Sequence, residues 1–243
     1  MTSSDLWDAQ TAEAYDETSA FMFAPDVVGP AVAFLARLAG DGPALEFAIG
    51  TGRVAIPLAD VGVTVSGVEL SPSMAEQLRK KRTDIPVTVG DMATTVVPGQ
   101  FSLVYCVWNS ISNLCTQAEQ VACFRNAARH LAPGGRFVIE LWVPAIRRLP
   151  PGQDAVPFHV GQHHIGFDTL DTTTQQGTSH HYRRGSDGII SYSAHNFRYI
   201  WPAECDLMAQ LAGLQLEQRV GNWGGDPFTS ESENHVSVWR GPA

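Results

Sequence analysis

Ala44-Leu45-Glu46-Phe47-Ala48-Ile49-Gly50-Thr51-Gly52-Arg53 is the stretch on which the fold of this chain turns. An apolar run breaks into two glycines spaced by one residue, and a helix-compatible segment follows. That is the profile of a buried strand ending in a tight turn at a helix N-terminus. Glycines let backbone approach a ligand closely, and a helix start offers free amides to a carboxylate or phosphate. Alone, the turn is ambiguous. Gly50-Thr51-Gly52-Arg53-Val54-Ala55 also fits the permissive dinucleotide pattern G-x-G-x-x-A, and a purely structural turn would look the same.

Outward from the turn, short apolar runs at 44–48, 63–68, 87–89, 101–107 and 136–143 alternate with helix-like segments. Continuous rather than alternating runs predict a parallel sheet covered on both faces. Ser71-Pro72 places a capping residue before a proline suited to a first helical position, predicting a helix to about Arg82. Thr116 with Glu119 forms a capping-box pattern for a helix ending near Leu131, and Pro133-Gly134-Gly135 then turns the chain into the next strand. Residues 31–38 read as an apolar helix, and Pro57 should kink or confine the first crossover helix. Residues 144–201 are rich in Pro, Gly, Thr and His, with strand-like runs such as 189–199. They read as an antiparallel insertion over the mouth of the sheet, between core segments 1–143 and 202–243. The core resumes with a helix at 202–212 and strands at 214–223 and 234–239.

Acidic residues then mark the strand ends. Glu46 lies inside the first strand, suited to hold an ammonium group. Glu69 ends the second, where a carboxylate accepts both hydroxyls of a ribose, as NAD enzymes also require. Gly90-Asp91-Met92 ends the third. There Asp91 can accept from an adenine amino group while Met92 packs on the ring, although an Asp is also an ordinary turn residue.

The succession Glu46…Gly50-Thr51-Gly52, Gly67-Val68-Glu69-Leu70-Ser71, Gly90-Asp91-Met92 and Leu131-Ala132-Pro133-Gly134-Gly135 resembles class I S-adenosylmethionine (SAM)-dependent methyltransferases. The resemblance implies a three-layer α/β Rossmann-like fold: a seven-stranded, mostly parallel sheet with an antiparallel last strand. It implies SAM as cofactor, with Tyr15, Glu46, Ala48, Gly50, Gly52, Glu69, Leu70, Asp91, Met92, Val107 and Trp108 around it. Ala48 departs from the family, standing where a first glycine is frequent, and slightly tighter packing is expected there. The layout is also similar to bacterial aminosugar N,N-dimethyltransferases, which share a tyrosine-bearing N-terminus and a strand-rich insertion.

The acceptor should lie near Trp108-Asn109-Ser110-Ile111-Ser112-Asn113, with Asn109 as an orienting amide. The candidate catalytic residues are Asn109, His180, His181 and Tyr182. The pairs His163-His164 and His180-His181 invite a metal, but neighbours on a strand point to opposite faces, so no metal site is expected. Tyr182, Trp142, Trp108 and Trp223 could form an aromatic wall. Methyl transfer from a sulfonium asks chiefly for alignment and exclusion of water; an amine acceptor must arrive unprotonated, whereas a hydroxyl needs a base.

Composition narrows the partners. The 243 residues carry a formal charge of −9 with only 16 Lys and Arg, which argues against nucleic acid. No apolar run reaches the roughly 20 residues that span a bilayer, and the N-terminus lacks a signal-peptide pattern. Four cysteines without metal spacing read as cytoplasmic thiols. A small-molecule acceptor is the expected partner, with a homodimer open. Two other readings compete: an NAD(P)-dependent oxidoreductase using the glycine turn, and a non-catalytic SAM-binding protein.

Overall fold

The computed structural model describes residues 8–185 and 187–243, apart from the side chain of Arg147. Helix α1 (Ala9–Thr18) and a 3-10 turn (Ala20–Phe23) lead into α2 (Pro25–Ala39). Then follow β1 (Ala44–Phe47), α3 (Ala55–Asp60), β2 (Val65–Glu69), α4 (Pro72–Lys81), β3 (Val87–Val89) and β4 (Phe101–Cys106). A 3-10 turn (Ser110–Asn113), α5 (Gln117–His130) and β5 (Leu131–Trp142) complete the parallel part. The seven-stranded sheet has the order β10-β11-β5-β4-β1-β2-β3, where β10 is Gln215–Val220 and β11 is Asn234–Arg240. β11 runs antiparallel to both β5 and β10.

Both faces of this sheet are covered, as its continuous apolar strands require. On one face Phe124 of α5 and Met208 of α6 (Pro202–Leu211) pack on Phe47, Val104 and Phe137. On the other, Phe34 and Leu35 of α2, Leu58 of α3 and Leu78 of α4 pack on Val65, Leu103 and Val138. Local signals act as read. The Ser71 hydroxyl accepts from the Met74 amide, and Thr116 and Glu119 form a reciprocal capping box. α3 is held to six residues around Pro57.

Three boundaries differ. α2 begins at Pro25, with Pro30 inside it. β5 begins at Leu131 rather than 136, because residues 132–135 bulge out between the pairs Phe101–Leu131 and Leu103–Arg136. The bulge is fixed from the far end of the chain: Gly134 N donates to Pro242 O at 2.7 Å, and Gly241 N to Gly135 O at 2.8 Å. β10 stops at Val220, short of Trp223.

Between β5 and α6 lies a second, four-stranded antiparallel sheet in sequential order: β6 (Ala155–Val160), β7 (His164–Asp171), β8 (Gln176–Arg184) and β9 (Ile190–Arg198). The pairings His180–Phe167 and His180–Ala194 put His180 on one face, with Tyr182 and Tyr192. His181 lies on the opposite face with Asp168, Ser179 and His195.

Candidate functional site

The turn after β1 repeats a left-handed conformation at every second residue: φ is +55° at Ala48, +57° at Gly50 and +88° at Gly52. This zigzag bends the strand sharply toward α3. Gly52 has a second reason to be glycine, since a Cβ there would lie 2.5 Å from Leu78 Cδ1. Ala48 adopts the same conformation with a side chain, at a cost of about 1–2 kcal/mol. The departure from the family's glycine therefore carries backbone strain. Ala48→Gly is expected to raise the unfolding midpoint by about 2 °C, the relieved strain exceeding glycine's extra unfolded entropy. A lowered midpoint would refute this account.

Glu69 braces the turn. Its Oε2 accepts from Gly50 N and its Oε1 from Ser71 N, both at 2.8 Å. Burial pushes this carboxyl up, against the lowering effect of those amides. Both ends of the carboxylate thus shape the cradle, at the end of β2. At the end of β3, Asp91 Oδ1 caps Ala93 N at 2.7 Å, and Oδ2 has no partner among the described residues. Met92 is buried beside it, its carbonyl accepting from Asn126 Nδ2 at 2.9 Å.

Glu46 is fully enclosed within β1. Tyr105 Oη donates to its Oε2 at 2.9 Å. Burial pushes its carboxyl up to about 8, although Tyr105, Arg53 and the Ala55 amide pull the other way and Glu69 adds repulsion. The folded chain therefore holds the extra proton, and stability falls as pH rises from the ordinary carboxylate range through 8. A cationic ligand beside Glu46 reverses this preference by favouring the carboxylate.

The N-terminal helix is latched over the turn: Asp16 accepts from Thr51 Oγ1 at 2.6 Å and from Lys81 Nζ at 2.5 Å. Tyr15, one residue earlier, is half-buried; burial raises its phenol, and Arg53, Asp16 and Glu69 act on it electrostatically. Its ring packs edge-on against Phe23, with centroids 6.4 Å apart.

After β4 and the buried Val107, two consecutive non-glycine residues are left-handed, Trp108 (φ +55°) and Asn109 (φ +60°). Such strain persists only where surroundings enforce it. Glu140 does so: its Oε2 accepts from Trp108 N at 2.8 Å, its Oε1 from Trp223 Nε1 at 2.7 Å, and its carbonyl from Asn109 N at 3.2 Å. Asn109 Oδ1 accepts from Trp142 N at 2.6 Å, tying the ends of β4 and β5 together. The Arg53 guanidinium lies 4.8 Å over the Trp108 ring.

Sequence reading named Trp108 and Asn109 but missed Glu140, whose partners are distant in sequence, and Arg53, quoted in the motif without a role. His180 Nδ1 and Tyr192 Oη are 2.8 Å apart, His180 Nε2 and Thr169 Oγ1 3.1 Å, and the Tyr182 and Tyr192 rings 4.9 Å. These residues share one exposed face of the insertion sheet. His181, on the other face, does not join them, and none of the three contacts Asn109 among the described residues. The proposed aromatic wall divides likewise: Trp142 packs on Phe197 at 5.5 Å, whereas Trp223 packs on Phe34 at 5.5 Å. Among the described residues no group of three His, Cys, Asp or Glu could hold a metal ion.

Carboxylates at the ends of β2 and β3 could accept from a diol and an amino group, and an enclosed carboxyl precedes a turn of close-approach glycines. Such an arrangement could hold a nucleoside-bearing cofactor with a charged amino-acid arm. Fold and site together define a Rossmann-like enzyme of this kind. Comparison with known proteins makes the class specific. Residues 44–135 match the family described as "Methyltransferase domain". The CcbJ methyltransferase of Streptomyces caelestis is 36% identical, with a TM-score of 0.81 over 90% of this chain and 91% of that one. The cypemycin N-terminal methyltransferase of a Streptomyces species is 27% identical over 98% of both chains. The dTDP-3-amino-3,6-dideoxy-alpha-D-glucopyranose N,N-dimethyltransferase of Streptomyces fradiae is 39% identical over 40% of this chain and 38% of that protein. The chain belongs to the SAM-dependent methyltransferases. The oxidoreductase and non-catalytic readings fall with that result.

The cofactor supplies a methyl group on a sulfonium, already activated for in-line displacement. If Glu46 receives the cofactor's ammonium, as the family resemblance implies, the affinity for S-adenosylhomocysteine is expected to rise from pH 6 to 8 with proton release at pH 7, because that ammonium would drive the carboxyl to ionise. Calorimetry in buffers of different ionisation enthalpy reads the proton. Glu46→Gln should abolish its release; proton uptake by the wild type would refute the assignment.

Proposed function

We propose that this methyltransferase transfers its methyl group to an amino nitrogen of a small polar molecule held between the insertion sheet and the carboxyl end of β5. One observation carries this reading. A cavity of about 450 Å³ opens there, lined by Trp142, Phe158, Phe197, Tyr199 and Trp201. Its volume suits a single sugar or short peptide end, not a folded protein. Its wall includes Trp142, whose amide is bonded to Asn109 beside Trp108. The names of the relatives, an N-terminal methyltransferase and an aminosugar N,N-dimethyltransferase, support nitrogen as the acceptor atom.

In this reading Glu46 receives the cofactor's ammonium, Gly50 and Gly52 its methionine arm, Glu69 its ribose, and Asp91 with Met92 its adenine. Leu70 and Val107 flank it, Ala48 bends the cradle, and Tyr15 and Trp108 close over it. The chain's share of catalysis is to hold the acceptor in line and to exclude water. The net charge of −9 speaks against a nucleic-acid substrate. No described helix is long and apolar enough to cross a membrane. Four free cysteines support a cytoplasmic setting.

The test is incubation with SAM and matched pairs of aminosugars, aminopeptides and their hydroxyl counterparts, the products being followed by mass. Mono- and dimethylated amines are expected. Methylation of the hydroxyl partners alone would overturn the reading.

A further inference from the structure

The aromatic cavity contains a carboxylate that the cofactor does not use. Asp168 of β7 lies on its wall, half-buried. A second acid at the cavity, Glu233, is already paired with Arg148. No Lys or Arg ion pair reaches Asp168 among the described residues. A box of tryptophan, tyrosine and phenylalanine rings with one unneutralised carboxylate recognises an organic ammonium, through cation–π attraction and charge together.

Asp168 is also held from behind. Ser179 is its partner across the β7–β8 ladder, and the nearby hydroxyl lowers the Asp168 carboxyl. Ser179 Oγ lies 3.3 Å from His181 Nε2, and His181 Nδ1 lies 3.0 Å from His164 Nε2. The rings of His164 and His181 stack with centroids 5.3 Å apart, and His195 stacks on His181 at 5.6 Å. A carboxylate can only accept, so a Ser179 hydroxyl turned to Asp168 donates and sets one direction for the groups behind it. With the Ser179 hydroxyl turned to Asp168, the Nε2–H of His181 would donate to Ser179 and the Nε2–H of His164 to His181 Nδ1.

We propose that Asp168 is the acceptor-recognition residue: it binds the substrate's ammonium group in the aromatic cavity and takes one proton from it. The proton passes from nitrogen to a carboxylate oxygen, and nitrogen keeps the electron pair with which it attacks the methyl carbon; as the N–C bond forms the S–C bond breaks, its pair staying on the sulfur of S-adenosylhomocysteine. This inference rests on the amine reading above. Burial raises the Asp168 carboxyl, with hydrogen bonding from Ser179 and the charge of His180 opposing, so the site suits proton acceptance. Ser179, His181 and His164 are positioning residues in this scheme, with Arg183, His159, His180 and His195 the other charged or titratable groups around the two histidines.

Two measurements need no turnover. Choline should quench the tryptophan fluorescence of the S-adenosylhomocysteine-loaded protein, and its neutral carbon isostere 3,3-dimethyl-1-butanol should not. Asp168→Asn should weaken the choline response at least tenfold while leaving S-adenosylhomocysteine affinity unchanged. Nitrogen-15 spectra of histidine-labelled protein should show His181 as the Nε2–H tautomer, and Asp168→Asn, whose amide can donate to Ser179, should change it. On any amine that the wild type methylates, the same variant should raise KM tenfold or more and lower kcat by roughly 10²-fold, the scale of a lost general base. Choline quenching unchanged in Asp168→Asn, or an Nδ1–H tautomer in the wild type, would overturn the proposal. Methylation of hydroxyls alone would overturn the amine reading separately, and the binding and tautomer measurements would still decide whether Asp168 recognises a cation.

Discussion

Glu69→Ala is expected to weaken S-adenosylhomocysteine binding by about 1–3 kcal/mol through lost hydrogen bonds to a charged group, a factor of roughly 5 to 150. The loss should exceed that of Asp91→Ala, because Glu69 braces the protein's own turn in addition to its proposed contact with the ligand. Its two oxygens accept from Gly50 N and Ser71 N. Removing them leaves two enclosed amides without acceptors, at about 1–3 kcal/mol each before water enters. The variant should therefore also unfold at lower urea. Asp91 makes one hydrogen bond to its own turn, at Ala93. Asp91→Ala should lose cofactor affinity with little change in stability. Calorimetric titration and urea unfolding of both variants separate the effects. Equal stability losses, or unchanged affinity in folded Glu69→Ala, would remove Glu69 from the cradle.

The contrast between these acids also shows what a sequence exposes. Glu69, Asp91, the glycine turn and the Thr116 cap are legible because each acts on backbone within a few residues, or at a strand end that patterning locates. Even the oddity at Ala48 is visible as a missing glycine, although its positive φ is not. Long-range partners leave no such trace. Pro133-Gly134-Gly135 resembles a stop signal, and only the contacts of Gly134 with Pro242 and of Gly135 with Gly241 turn it into a bulge within β5. Glu140 looks like any acid in a strand until Trp108 and Trp223 meet its two oxygens. The insertion is the least legible part. Its alternation announces strands, but which face carries His180 and which carries Asp168 depends on register, and a one-residue slip exchanges them.

The joint between insertion and core carries the largest expected stability effect. Arg198, at the end of β9, is 5% exposed. It donates to Gln120 Oε1 at 2.6 Å, Glu204 Oε1 at 2.7 Å and Gln175 Oε1 at 3.1 Å. Glu204 accepts in addition from Gln117 and Gln175. One guanidinium thus joins α5, α6 and the β7–β8 turn. Burial alone would raise the Glu204 carboxyl, but hydrogen bonds from Arg198, Gln175 and Gln117 outweigh it and leave it lowered. Its stabilising contribution is accordingly present above the ordinary carboxylate range and lost as pH falls through the lowered value. Arg198→Met leaves Glu204 without its cation and Gln120 and Gln175 without a donor, so a loss of about 3–5 kcal/mol is expected. The double variant Arg198→Met/Glu204→Leu should recover much of it, since replacing both members of a buried pair by apolar groups is often nearly neutral. If the joint also seats the cavity over β5, the single variant should raise the acceptor KM while the folded fraction binds S-adenosylhomocysteine normally, because the cofactor cradle lies on β1, β2 and β3. A single variant as stable as the wild type would mean that the ion pair sets specificity of packing rather than stability. Impaired cofactor binding in the folded variant would mean that insertion and cradle are coupled through the 3-10 turn after β4.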